Sequence, residues 1–347
     1  MPAVSVAAGC CPASTPANEV VEDIFGLVRI LSDGTVVRSP VGPVFCPTTF
    51  PENHPSVEWK EAVYDKAKNL VVRMYKPSPA GGKLPVLVHF HGGGFCIGSP
   101  SWANVHAFCL RLAADTGAVV LSAGYRLAPE HRLPAAVDDG AAFMRWLRAQ
   151  SSASANAAEA DADAWLTEAA DFRRVFVTGD SAGGTIAHHL AVRAGSGSSA
   201  AEPGLVTVRG YVLFMPFFGG VRRTVSEAEC PEEALNLDLV DRFWRLSLPA
   251  GATRDHPAAN PFGPDSPDLG SVDFPPVLVV VGGLDLIRDR TVDYAERLAA
   301  MGKPVEVAEF AGKPHGFYLH EPGSEATGEL IGLVSRFLHS CEVRLLD

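Results

Sequence analysis

Ser181 stands in Gly179-Asp180-Ser181-Ala182-Gly183, directly after the apolar run Val175–Val177 and directly before a segment of helical spacing. A serine between small residues at a strand–turn–helix junction is pushed out of the turn, where its hydroxyl can attack a carbonyl carbon. Such a hydroxyl needs a base to take its proton and an acid to orient that base, in the chain order serine, acid, histidine. Asp285 follows the apolar run Val277–Val281 in Gly282-Gly283-Leu284-Asp285, and His315 follows the strand-like Val305–Phe310. In role, His315 removes the Ser181 proton and returns it to a leaving alcohol, while Asp285 holds the imidazole tautomer and stabilises the imidazolium. Asp289 is the rival acid, but it opens a helix, where capping and the helix dipole already favour a carboxylate.

A second glycine-rich stretch, His91-Gly92-Gly93-Gly94, ends the strand-like Pro85–Phe90. Consecutive glycines let backbone N–H groups face a cavity with no side chain in the way, as stabilisation of an oxyanion requires. A phosphate cradle is the other use of such a run, but neither Gly-Lys-Ser/Thr nor Gly-x-Gly-x-x-Gly occurs here. His89 and His91 flank this turn as structural hydrogen-bonders, and His188 and His189 lie well inside the helix after Ser181, where packing is their expected role. No histidine, cysteine or carboxylate spacing predicts a metal site, and no cofactor motif is present. Phe95, Phe218, Trp244 and Phe317 adjoin these motifs or the insert described below. They are candidates for an apolar substrate pocket, with core packing as the equally weighted alternative.

These residues need a scaffold. The short, nearly continuous apolar runs at Pro85–Phe90, Ala118–Ala123, Arg174–Thr178, Tyr211–Met215 and Val277–Val281 predict strands buried on both faces, as in a parallel sheet. Helical patterns at Asn104–Asp115, Pro134–Gln150, Ser181–Arg193, Asp289–Met301 and Ser324–Ser340 alternate with them, so the expected class is α/β, a mostly parallel central sheet with helices on both faces. Val57–Tyr64 and Leu70–Tyr75 predict paired strands turning near Asn69. Residues 1–18 are expected to be disordered, Val20–Leu31 to form a short amphipathic helix, and Ser151–Ala164 to be a surface loop. An insert at about 221–257, with Leu235, Leu237, Phe243, Trp244 and Leu246 at helix-like spacing, predicts a cap near the carboxyl ends of the strands.

Composition narrows the partners. The chain has 347 residues, with 29 Lys+Arg against 40 Asp+Glu, for a net charge of −11. That balance disfavours phosphate backbones and anionic membranes as principal partners and leaves a small molecule as the expected one, with oligomeric state undetermined. Seven cysteines without paired spacing predict inert thiols in a reducing compartment. With no signal-like or membrane-length segment, cytoplasmic residence, extending to the nucleus, is expected.

In combination, His91–Gly94, Gly179–Gly184 and Tyr125-Arg126-Leu127-Ala128-Pro129-Glu130 resemble the hormone-sensitive-lipase-like branch of the α/β-hydrolases. Asp23–Val37, Trp244–Pro264 and His315–Tyr318 extend the resemblance to plant carboxylesterases related to gibberellin receptors, nearest the subgroup with strigolactone-hydrolysing members. The resemblance implies an α/β-hydrolase fold with an N-terminal lid segment (19–55) and a catalytic domain (56–347) carrying the 221–257 cap. It also implies an oxyanion hole from the N–H groups of Gly93, Gly94 and Ala182. Receptors of this group lack the catalytic histidine and have an altered glycine loop, whereas His315 and all three glycines are present here. Where some members of the subgroup use Glu as the triad acid, Asp285 stands in its place. The leading expectation is a cofactor-free serine carboxylesterase acting on a small to medium apolar ester or lactone, a strigolactone among the candidates. The alternatives are a non-catalytic hormone receptor on the same fold, and an amidase or acyl transferase.

Overall fold

A computed structural model of the protein describes residues 18–43, 50–78, 81–155, 162–197, 206–229 and 235–343. The chain divides into two units, Met1–Pro43 and Val44–Asp347. Residues 1–17 of the start expected to be disordered lie outside the described residues.

The first unit holds β1 (Val20–Ile24), β2 (Val28–Leu31) and β3 (Val36–Arg38), an antiparallel sheet in that order. This corrects the helix expected over Val20–Leu31. Phe25 and Gly26 both take positive φ, 52° and 67°, and the Asp23 carboxylate accepts the Gly26 N–H at 2.6 Å. Two left-handed residues reverse the chain within the three-residue loop 25–27, and the β-branched Ile24 and Val28 on either side pair across it.

The second unit holds β4 (Val57–Asp65), β5 (Leu70–Pro77), β6 (Leu84–Phe90), β7 (Val119–Ala123), β8 (Ala170–Asp180), β9 (Val208–Phe214), β10 (Val277–Gly282) and β11 (Val305–Phe310), with the buried apolar runs in β6 to β10. They form one sheet in the order β11-β10-β9-β8-β6-β7-β5-β4. From β11 through β7 all neighbours are parallel; β5 and β4 are the expected hairpin, turning at Asn69 with φ 52° and joined antiparallel to β7. The helices among the described residues are α1 (Ala103–Thr116), α2 (Ala135–Ala155), α3 (Ala164–Ala169), α4 (Ala182–Gly195), α5 (Val225–Glu229), α6 (Leu237–Ser247), α7 (Arg288–Ala300), α8 (Phe317–His320) and α9 (Glu325–Val343).

Alternate residues of the central strands bury against opposite layers, which is why their sequences read as continuous apolar runs. Leu87, Phe176, Val212 and Val280 join Phe108 of α1, Tyr318 of α8 and Phe337 of α9 in one cluster. On the other face, Phe90 of β6 and Ile186 of α4 close around Gly140 of α2. The loop expected at Ser151–Ala164 is partly helical: α2 runs to Ala155 and α3 starts at Ala164, with 156–161 outside the described residues.

The 221–257 insert folds as α5 and α6. Asn236 caps α6, its side chain accepting the Leu239 N–H at 3.0 Å. Leu239, Val240, Phe243, Trp244 and Leu246 are buried, while Asp238 and Arg245 face outward. Arg290 of α7 pins α5 through a paired contact with the buried Glu227 at 2.7 Å.

Candidate active site

β8 runs straight into α4, and the single residue between them, Ser181, takes φ 52° and ψ −116°. A side-chain-bearing residue rarely occupies that region, and the backbone around it supplies the restraint. The Ser181 N–H donates to the Phe214 carbonyl (2.9 Å), and its own carbonyl accepts from Phe217 (2.9 Å) and Thr185 (3.2 Å). The flanking glycines are required by space: a Cβ on Gly183 would collide with the Phe90 carbonyl, and one on Gly179 with the Gly183 backbone. The G-x-S-x-G pattern is thus the trace of three backbones meeting with no room for side chains.

Asp285 follows β10. Its Oδ1 accepts the Ile287 N–H at 3.0 Å, and its Oδ2 meets His315 Nδ1 at 2.8 Å. With Nδ1 facing a carboxylate, that nitrogen carries the proton and Nε2 becomes the basic one. The Asp285 side chain is 1% exposed and that of His315 14%, so the acid is sealed while the base reaches open space. Asp289, the rival acid, instead accepts the Ser226 N–H at 2.8 Å and lies beside Arg288. Ser181, Asp285 and His315 therefore follow the carboxyl ends of β8, β10 and β11, strands linked in order through β9.

The glycine loop lies against the serine turn: a Cβ on Gly92 would meet the Asp180 carboxylate and stand 3.1 Å from the Ser181 Cβ. Gly93 and Gly94 have φ 110° and 58°. Among the described residues, the N–H groups of Gly93, Gly94 and Ala182 donate to no protein acceptor. Side chains buttress this loop from below. Tyr125, the first residue of the Tyr125–Glu130 segment, donates its hydroxyl to the His91 carbonyl at 2.7 Å and stacks on the His91 ring at 4.4 Å. The next residue, Arg126, forks onto the buried Asp139 at 2.7 Å, and the Ala128 N–H donates to the Phe95 carbonyl at 2.8 Å. His91 bonds its own neighbour, Nδ1 to the Gly92 carbonyl at 2.8 Å, and burial pushes its pKa down to about 4. It is a neutral strut at working pH. His89 is likewise structural, with Nδ1 2.9 Å from the Thr178 hydroxyl and Nε2 3.3 Å from the Asp180 carboxylate.

The four expected pocket aromatics divide among three buried clusters. Phe95 lies 5.9 Å from Trp244, which stacks on Phe217 at 4.3 Å, close to the glycine loop. Phe218 instead packs on Tyr294 and His188, and Phe317 on Phe310 and Tyr318. All four are buried, and Phe218 also borders a cavity lined by residues 219–225 and by Asp289, Arg290 and Tyr294 of α7. Phe243 of α6, named in the insert but not among the pocket candidates, comes closer: its ring occupies the place that a Cβ on Gly94 would need. Nothing local in the sequence marks that contact, because the partners are joined only by the fold.

Among the described residues, no group of three or more His, Cys, Asp or Glu is placed to hold a metal ion, and no helix is long and apolar enough to cross a membrane. Cys96, Cys109 and Cys341 are buried thiols, and burial raises the Cys109 pKa to about 12.

Comparison with known proteins agrees with this architecture. The sequence is 34% identical to 2-hydroxyisoflavanone dehydratase of Glycyrrhiza echinata, over 94% of this chain and 98% of that protein. It is 35% identical to Probable carboxylesterase 6 of Arabidopsis thaliana (92% of each chain) and 38% identical to the Arabidopsis gibberellin receptor GID1C (75% of this chain, 74% of the receptor). A hyperthermophilic esterase from Pyrobaculum calidifontis superposes with a TM-score of 0.67 at 30% identity, covering 84% of this chain and 88% of the esterase. Residues 87–319 match the family described as the alpha/beta hydrolase fold, and with its parallel sheet, glycine loop and serine turn the chain belongs to that family.

Proposed function

We propose that this protein is a serine carboxylesterase. Ser181 Oγ attacks an ester carbonyl while His315 Nε2 takes its proton. The new oxyanion is received by the N–H groups of Gly93, Gly94 and Ala182, and the imidazolium is stabilised by Asp285. Collapse of the tetrahedral species breaks the ester C–O bond as His315 returns the proton to the departing alcohol. Water, deprotonated by the same imidazole, then releases the acid and restores Ser181. The observation that carries this reading is the 2.8 Å contact between His315 Nδ1 and Asp285, which leaves the imidazole base directed away from its carboxylate partner. Relatives named as carboxylesterases and structural neighbours named as esterases support it.

The substrate we propose is a small to medium apolar ester or lactone, with strigolactone-like plant hormones in the first panel to be tried. Hydrolysis of p-nitrophenyl acetate by the wild type and none by Ser181→Ala is the expected result; a wild type no faster than the variant overturns the esterase reading. In that event the second reading, a hormone receptor, takes its place, since relatives named as gibberellin receptors share 37% and 38% identity over 75% of the chain. Product masses with water, alcohols and amines as competing acceptors separate ester hydrolysis from amide cleavage and acyl transfer.

A further inference from the structure

At the carboxyl end of β9, Phe214, Met215 and Phe217 bear on all three members of the proposed triad. The Phe214 carbonyl and the Phe217 N–H hold Ser181, and the Met215 N–H donates to the Val280 carbonyl of β10 at 3.0 Å. Only the Met215 side chain does something the backbone does not. Its sulfur accepts the Gly316 N–H at 3.2 Å, one residue beyond His315. Gly316 is buried, and among the described residues this N–H has no other acceptor. On the other side, the Met215 methyl lies 3.0 Å from where a Cβ on Gly282 would stand, three residues before Asp285. Met215 itself has φ 46°. A side-chain-bearing residue in that region is held there at a cost, and such outliers motivate a search for function.

We infer that Met215 is a positioning residue for His315. The loop of His315 is bracketed at two points. Before the histidine, the Lys313 carbonyl accepts the Leu284 N–H at 3.0 Å; after it, Gly316 hangs on the Met215 sulfur. The first bracket ties the loop to the Asp285 turn, whereas the second ties it to the segment that hydrogen-bonds Ser181. The Met215 contact thus sets the spacing between base and nucleophile, which the Asp285–His315 bond by itself does not determine. A thioether is a weak acceptor, but an N–H sealed from water has a strong need of one. Leucine fills nearly the same volume and offers no acceptor, while glutamine offers one on a chain of similar length.

This inference rests on the triad reading, and the experiment separates the two. Steady-state hydrolysis of p-nitrophenyl acetate is compared for the wild type, Met215→Leu, Met215→Gln and Ser181→Ala, with amide hydrogen exchange at Gly316 followed by NMR. Met215→Leu should lower kcat about tenfold with KM within about twofold, since displaced catalytic groups slow the chemical step. It should also speed exchange at Gly316 and broaden the His315 Nδ1–H resonance. Met215→Gln, at a matched melting temperature, should recover much of the rate and the protection. A Met215→Leu enzyme with wild-type kcat overturns the inference, as does a Met215→Gln enzyme no better than it. A wild-type Gly316 amide that exchanges as freely as a solvent-exposed one overturns it too, even if a variant fails to fold. Ser181→Ala turning over like the wild type sinks the triad reading instead, a separate outcome.

Discussion

At the Ser181 turn the restraints come from backbone and from the absence of side chains: three main-chain hydrogen bonds, and glycines at 179 and 183 whose added Cβ atoms would strike neighbouring backbone. At the His315 loop, side chains supply key holds, with the Asp285 carboxylate on one side of the histidine and the Met215 sulfur on the other. The first region is intolerant of added atoms, the second of removed ones. Each mode of support predicts its own mode of failure.

The largest effects test whether the two regions form one chemical unit. Ser181→Ala and His315→Ala should each lower kcat by more than about 10⁴-fold, and the double variant should be no worse than either single one. Additive losses would mean that the two residues act independently. The crowding claim is tested by Gly183→Ala, expected to cost about 3 kcal/mol in urea unfolding because the Phe90 carbonyl must give way. An unchanged midpoint would remove the contrast between the regions.

Acidity offers a test of similar size for the glycine loop. His91, pushed down to about 4 by burial, stays neutral in the folded state where the unfolded chain, at its ordinary 6.5, takes up a proton. Stability is therefore full above about pH 6.5 and falls as the pH drops toward 4, by up to about 3 kcal/mol from this group. The buried His188 is shifted in the same direction and adds to the fall. Urea midpoints at pH 7 and pH 5 should show the loss, and His91→Asn should shrink it; a wild type equally stable at both would contradict it. The smallest effect belongs to Tyr125→Phe, which deletes the hydroxyl that donates to the His91 carbonyl at 2.7 Å. It should cost about 1 kcal/mol in stability. A larger loss in kcat than in stability would show that the loop beneath the proposed oxyanion site is positioned by this bond.

The same contrast accounts for what was legible in the sequence. The serine turn could be read because backbone crowding forces glycine at 179 and 183, two residues to either side of Ser181. The parallel strands could be read because burial on both faces leaves unbroken apolar runs such as Val277–Val281. Asp285 could be preferred to Asp289 from its place after a strand, and the structure puts that carboxylate on His315. Val20–Leu31 misled because valines, isoleucines and leucines spaced along a hairpin also satisfy a helical stripe, and the deciding feature was the left-handed pair Phe25-Gly26. The contacts of Met215 and Phe243 were illegible for another reason. Their partners, Gly316 and Gly94, are 101 and 149 positions away in the chain, and each contact depends on a side chain whose identity carries no local pattern.

Phe243 also bears on how this scaffold can be re-engineered. Its ring fills the space that a side chain on residue 94 would claim, so the α6 insert and the glycine loop are cut to one template. A chimera that imports a relative's cap onto this core, with a smaller residue at 243, opens a void over Gly94 and loosens the loop beneath it. Transplants that move residues 91–98 and 237–247 as a pair keep the fit, and libraries meant to diversify the cap should vary positions 94 and 243 jointly.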